Sequence, residues 1–152
     1  MARVSVLAGL GDARYNATRK YLDAAFAALE SQPPNLRAVV KSAFDAAENV
    51  FKLAASIDKA LTSGNVTQCL LRVIDSHYSA ADESQKAAAG KLAASFADWV
   101  DAGHKYRHAH QDSEPHEPEV EFAVAYMGGA MTYIRWLAAI DAARQQRTVG
   151  EP

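Results

Sequence analysis

Residues 120–141, VEFAVAYMGGAMTYIRWLAAID, decide the fold. Apolar residues recur here at steps of three and four, which is the spacing of one face of an α-helix. The pattern predicts a long final helix whose apolar seam ends on a polar residue: Val120, Ala123, Met127, Ala130, Ile134, Leu137 and Asp141. Gly128 and Gly129 each cost a helix about 1 kcal/mol relative to alanine, so they predict that another backbone passes close to its middle.

Outward from this stretch, the same periodicity predicts four earlier helices, at about residues 13–30, 36–57, 66–76 and 82–110. Helix boundaries carry their own signals. Pro33-Pro34 ends the first helix, and Thr62 to Asn65 holds the turn residues that interrupt the pattern after the second. Asp82 is a predicted N-cap, with Gln85 at the capping-box position.

The second helix has an apolar stripe and a charged face. Lys41 with Asp45 and Glu48 with Lys52 are spaced one turn apart, so each pair contributes a few tenths of a kcal/mol and the charged face is expected to lie in solvent. No strand-like alternation, fixed-period repeat or domain linker interrupts the chain. The 152 residues therefore predict a single all-α domain, an antiparallel bundle of four to five helices with flexible ends at residues 1–12 and 144–152.

Composition narrows the range of functions that the chain could have. Sixteen basic and eighteen acidic residues give a net charge of −2, so the basic footprint of a nucleic-acid-binding domain is missing and any RNA contact needs a local patch. The single Cys69 excludes an internal disulfide framework and is expected to be a buried structural thiol. The first nine residues do not resemble a secretory signal and no run is long enough for a membrane span, so a cytoplasmic location without a membrane partner is expected.

Candidate chemistry is concentrated between the last two helices. Arg107 lies among four of the five histidines, which are His104, His108, His110 and His116. If the fourth helix continues through this segment, Arg107 and His110 project on its core-facing side while His104 and His108 turn outward. A desolvated arginine needs a carboxylate, a helix C-terminus, a partner subunit or a bound anion.

Two plainer interpretations stay open. The helix can end after Gly103 and leave the histidines in a solvated loop, where basic residues complement the helix dipole. His104 and His108 also have the i,i+4 spacing of metal ligands, with His110, Asp112 or His116 as further donors, but the acidic partner of an HExxH motif is missing. No nucleophile elbow or glycine-rich phosphate loop is present. We expect no metal and no cofactor.

Two segments resemble the HEPN superfamily, and especially the C-terminal domain of abortive-infection proteins. The first is the alanine-rich helix AFDAAENVFK at residues 43–52, with Glu48 and Lys52 one turn apart. The second is Tyr106-Arg107-His108-Ala109-His110, followed by a loop and an alanine-rich helix that ends in YIRWL at residues 133–137. The resemblance covers about residues 36–141 and implies a HEPN-like bundle.

The resemblance also implies a function in bacterial defence or toxin–antitoxin systems. Ribonucleases of this family use an Arg followed by four to six residues and a His, placed so that two subunits form one RNA-cleaving cleft. In this chain histidines follow Arg107 directly, after two residues and after eight, so none has that spacing. The expected function is therefore a non-catalytic module that forms a homodimer and binds RNA or a partner protein.

The alternative is a metal-independent ribonuclease. Arg107 would clamp a phosphate bidentately, and His110 would transfer the proton. Further candidate binding residues are His104, His108, His116, Tyr106 and Arg135. Aromatic side chains near the cleft can stack on bases, although aromatics at helical spacing more often pack in a core. Arg135 is either a second phosphate contact or a partner for Glu121 or Asp141 of a neighbouring copy.

Overall fold

A computed structural model of the chain describes residues 9–108 and 116–150, which form helices and no β-strand. The predicted all-α class is confirmed. We number six helices in these ranges and treat residues 63–77 as one, α3, made of three consecutive segments that include a π-helical one. They are α1 (Asn16–Glu30, after the 3-10 turn Ala13–Tyr15), α2 (Leu36–Ala55), α3 (Ser63–Asn65, Val66–Leu70 and Leu71–His77), α4 (Glu83–Ala102), α5 (His104–Arg107) and α6 (Val120–Gly150).

Side chains cap the predicted helix ends. The Asp82 carboxylate accepts a hydrogen bond from the backbone N–H of Gln85 at 2.8 Å, which confirms the predicted start of α4. Asn35 caps α2 in the same way through the N–H of Ala38, at 3.1 Å. α1 ends at Glu30, just before the predicted stop at Pro33-Pro34. The expected break at Thr62–Asn65 is instead a helix start, because the Thr62 hydroxyl accepts from the N–H of Asn65 at 3.1 Å.

α2 is the central helix, packed against α1 on one side and α6 on the other. Its apolar stripe is buried from Val39 to Ala54, while Leu36 at its start is half-buried, and Phe51 is among the largest side chains of the core. The predicted charge pairs lie on its outer side: Lys41 Nζ is 2.6 Å from Asp45 Oδ2, and Lys52 Nζ is 3.8 Å from Glu48 Oε1.

Aromatic side chains fill the contact between α4 and α6. The Trp99 ring stacks on Tyr126 with centroids 4.3 Å apart, and its Nε1 donates to the Tyr126 carbonyl at 3.0 Å. A Cβ atom at Gly129 would lie 2.6 Å from that Nε1. Gly129 is thus required by a close approach, although the approaching group is an indole and not the predicted backbone. Gly128 has open space where its side chain would be.

The structure decides one boundary that the sequence left open and contradicts another. Of the two courses considered for the fourth helix, continuation to His110 is wrong and an end at Gly103 is supported: α4 ends at Ala102, Gly103 interrupts it, α5 is a single turn, and His108 has an extended backbone. A Cβ atom at Gly103 would lie 2.3 Å from the Tyr126 hydroxyl, so α6 packs directly against this interruption. At the other end α6 continues as helix to Gly150, through residues for which we expected a flexible tail, and Arg144 donates to the Ala54 carbonyl.

None of the helices in the described ranges has the combination of length and apolar character needed to cross a bilayer.

Candidate functional site

Arg107, at the end of α5, rests on the Phe44 ring of α2. Its guanidinium carbon lies 3.3 Å from the ring centroid, a cation–π contact that holds the side chain half-buried. The Nε atom is buried and has no hydrogen-bond partner among the described residues. Burial lowers the pKa of the guanidinium, while Tyr126 and the carboxylates of Glu48, Asp45 and Asp101 oppose this shift. Arg107 is therefore a desolvated cation held by an aromatic ring and by carboxylates at longer range.

Tyr126 is a second buried polar residue, close enough to Arg107 to interact with its charge. It is 3% exposed, and its hydroxyl also has no hydrogen-bond partner in the part of the chain that the structure describes. Burial raises its pKa well above the usual value, and the Arg107 charge opposes that rise. Two buried polar atoms, on residues from different helices, are therefore left unsatisfied at one end of the bundle.

Arg107 lines a cavity of about 340 Å³ that opens between α2, the start of α3 and α5. Glu48 fixes one wall, because its Oε2 accepts from the backbone N–H of Leu61 at 2.8 Å. His104 and His108 line the opposite wall, with ring centroids 4.5 Å apart. The remaining lining residues are Phe44, Ala60, Leu61, Thr62, Val100 and Asp101.

The charge around this cavity is mixed. Arg107 brings one positive charge, and Glu48 and Asp101 bring two negative ones; His104 and His108 add positive charge only when they are protonated. Such a lining favours a ligand that carries both an anionic group for Arg107 and a neutral or basic group for the carboxylates.

Arg107, His104 and His108 line the same cavity, whereas the helical pattern of the sequence predicted that the two histidines turn outward, away from the side of Arg107. His110 lies outside the described residues. His116 is exposed just before α6, and Arg135 is exposed in the middle of α6; neither lines the cavity. Tyr106 is half-buried, with its ring 5.0 Å from that of Phe122.

The aromatic residues and Cys69 belong to the core or pack against it. Tyr126 and Tyr133 are buried, and Trp136 donates from Nε1 to the Tyr78 hydroxyl at 2.9 Å, so these aromatics pack as the core interpretation predicts. Cys69 is half-buried and packs against the core. Within residues 9–108 and 116–150, no three histidine, cysteine or acidic side chains converge as metal ligands.

Sequence reasoning missed three parts of this architecture. Phe44 lies in the helix quoted for the resemblance, but nothing marks it as a platform for Arg107. The contact of Gly103 with Tyr126 joins residues on separate helices and has no local signal. Asp141 was noticed as a polar end of an apolar seam, yet its partners are Arg14 and Tyr15 of the same chain and not a neighbouring copy.

Comparison of the chain with protein-family models, with curated proteins and with solved structures gave no match.

Proposed function

We propose that the chain is a HEPN-like, non-catalytic module of a bacterial defence or toxin–antitoxin system, which acts as a homodimer and binds a partner protein through the cavity beside Arg107. The observation that carries this proposal is the environment of the Arg107 side chain. Its guanidinium is half-buried on Phe44, and its Nε has no acceptor among the described residues.

A buried N–H group without an acceptor costs about 1–3 kcal/mol, and the cost is larger for a charged group. Such unsatisfied groups are rare in native proteins, and a functional role or a bound ligand is among the few explanations for them. A carboxylate entering the cavity would form charge-assisted hydrogen bonds with the guanidinium, which are about twice as strong as neutral ones. Arg107 is thus suited to receive an acidic side chain.

The mixed lining favours protein over RNA as the partner. An RNA strand carries a phosphate at every nucleotide, and these would approach Glu48 and Asp101 as well as Arg107. A protein segment can place one carboxylate on Arg107 and neutral or basic groups beside Glu48. The chain's net charge of −2 likewise gives RNA no long-range attraction.

The test is an NMR titration of the ¹⁵N-labelled protein with two probes. One is a blocked peptide with a single Glu flanked by Ser and Lys, and the other is a short uridine oligoribonucleotide. We expect the peptide to shift the signals of Arg107 and His104, and we expect the Arg107→Gln variant to lose this response. Arg72→Gln, which removes an exposed arginine of α3, is the matched control and should keep it. If neither probe shifts these signals at millimolar concentration, the proposed function is wrong.

The ribonuclease alternative has one observation in its favour. His104 and His108 line the same cavity as Arg107, so imidazole groups, which can transfer protons, lie beside a cation that is able to bind a phosphate. Purified wild-type protein, Arg107→Gln and His110→Ala should then be compared on labelled RNA. Cleavage that both substitutions abolish would replace the binding proposal with this one, whereas cleavage that both retain would come from a contaminant.

A further inference from the structure

One face of α6 is exposed and uncharged over an unusual length. Thirteen consecutive residues separate Glu121 from Arg135, and none of them carries a charge. Six of them are buried. The exposed ones lie on one strip of the helix with half-buried Gly128 at its centre, and they are Val124, Ala125 and Thr132. Met131, at the edge of this strip, is half-buried and packs against the core. Val124 is 47% exposed, and the hydroxyl of Thr132 is already used within the helix, donating to the Gly128 carbonyl at 3.1 Å.

This strip ends in opposite charges. Glu121 and Arg135 are both exposed, and neither forms an ion pair with another residue of the described ranges. They lie seven residues before and seven residues after Gly128, which is two helical turns in each direction. The strip is therefore self-complementary about Gly128.

We infer that α6 pairs with α6 of a second copy of this chain, antiparallel, about a two-fold axis at Gly128. In that arrangement Glu121 of each copy faces Arg135 of the other, and Val124 faces Thr132. Gly128 meets its own counterpart on the axis, where the absence of a side chain lets two helices approach closely. Within residues 9–108 and 116–150, no atom of another element lies within 4 Å of a Cβ atom placed at Gly128.

This inference specifies the homodimer of the proposed function and rests on that function only for the existence of the dimer. The strip does not include any residue that lines the Arg107 cavity. A helix strip about 21 Å long supplies less than the roughly 800 Å² per partner of a standard interface, so we expect a dissociation constant in the micromolar range.

Charge reversal tests the pairing directly. Sedimentation equilibrium of the wild type between about 1 and 100 µM should show a concentration-dependent dimer. Glu121→Arg or Arg135→Glu alone places like charges at both ends of the interface and should raise the dissociation constant about tenfold. The double reversal Glu121→Arg/Arg135→Glu restores opposite charges and should restore the dimer. The double reversal Glu83→Lys/Lys86→Glu on α4 is the control for altered surface charge and should have no effect.

A cysteine on the axis gives a second readout. In a Cys69→Ser background, Gly128→Cys should form a disulfide-linked dimer under mild oxidation. Gly90→Cys, at an equally open glycine of α4, should remain unlinked. A monomeric wild type over the whole concentration range overturns the inference, and so does a double reversal that stays monomeric. A wild-type dimer that the single charge reversals leave unchanged would refute this inference alone, because the homodimer of the proposed function would remain. An intact dimer whose Arg107 does not respond to peptide would refute the binding function alone.

Discussion

Asp141 is a fully buried carboxylate that receives three hydrogen bonds. Arg14 donates from Nε at 2.7 Å and from a terminal nitrogen at 3.0 Å, and the Tyr15 hydroxyl donates at 2.8 Å. Asp141→Asn removes the charge and weakens these hydrogen bonds, whereas the Arg14 side chain is one-third exposed and keeps contact with water, so we expect a loss of about 1.5–3 kcal/mol in the free energy of unfolding. Urea denaturation monitored by circular dichroism measures it. Asp45→Asn, in the more exposed pair with Lys41, should cost less than about 1 kcal/mol.

Tyr126 and Tyr15 provide a contrast between two buried hydroxyls. Tyr126 has no hydrogen-bond partner among the described residues, whereas Tyr15 donates to Asp141. Tyr126→Phe removes an unsatisfied group and should leave the free energy of unfolding unchanged or raise it by about 1 kcal/mol. Tyr15→Phe should lower it by about 1.5–3 kcal/mol, because its partner is charged. Equal losses in both variants would show that the Tyr126 hydroxyl is hydrogen-bonded in solution.

At the scale of the helices, Gly129 and Gly90 separate helix propensity from packing. Alanine is favoured over glycine in a helix by about 1 kcal/mol. At Gly90 a new Cβ would meet no atom within 4 Å from elsewhere in the described ranges, so Gly90→Ala should stabilise the protein by about that amount. At Gly129 the new Cβ would meet Trp99 Nε1 at 2.6 Å and disturb its hydrogen bond to Tyr126, so Gly129→Ala should destabilise by about 1–3 kcal/mol. Thermal melting of both variants under one condition decides between the two effects.

A helix or its boundary is predictable from sequence when the features that determine it lie in the same stretch of chain. The helices were predictable because periodicity, proline and the cap at Asp82 are local features. For the end of α4 at Ala102 the sequence left two alternatives open, because this end coincides with packing of Tyr126 on Gly103, a contact between separate helices. The same limit applies to the site. The cluster of Arg107 with His104 is visible in sequence, but the ring of Phe44 beneath Arg107 is brought there only by the fold.

In the whole molecule, the ion pair of Arg14 with Asp141 joins the turn before the first helix to the last helix, across 127 positions of sequence. α1 and α6 pack on either side of α2, so this ion pair links the two helices that flank the central helix. A second hydrogen bond nearby connects α6 to the end of α2: Arg144 donates to the Ala54 carbonyl. The stability of the whole fold is thus coupled to the ionisation of one buried carboxylate.

That coupling predicts how stability changes in acid. Burial alone would raise the pKa of Asp141, but the hydrogen bonds from Arg14 and Tyr15 together with the Arg14 charge outweigh it, and the pKa lies below its usual value. The stabilisation is therefore complete above the unfolded-state pKa of about 3.9 and is lost as the pH falls through the lower folded-state value. Burial and Arg147 also lower the pKa of His77, so acid destabilises the fold by a second route that begins near neutral pH.

Subtracting the unfolding free energy of Asp141→Asn from that of the wild type between pH 2 and pH 8 isolates the contribution of Asp141, because both proteins contain His77. We expect this difference to be constant above about pH 5 and to shrink below about pH 4. A difference that stays constant down to pH 2, in a protein still folded there, would mean that Asp141 is not the carboxylate whose protonation opens the bundle.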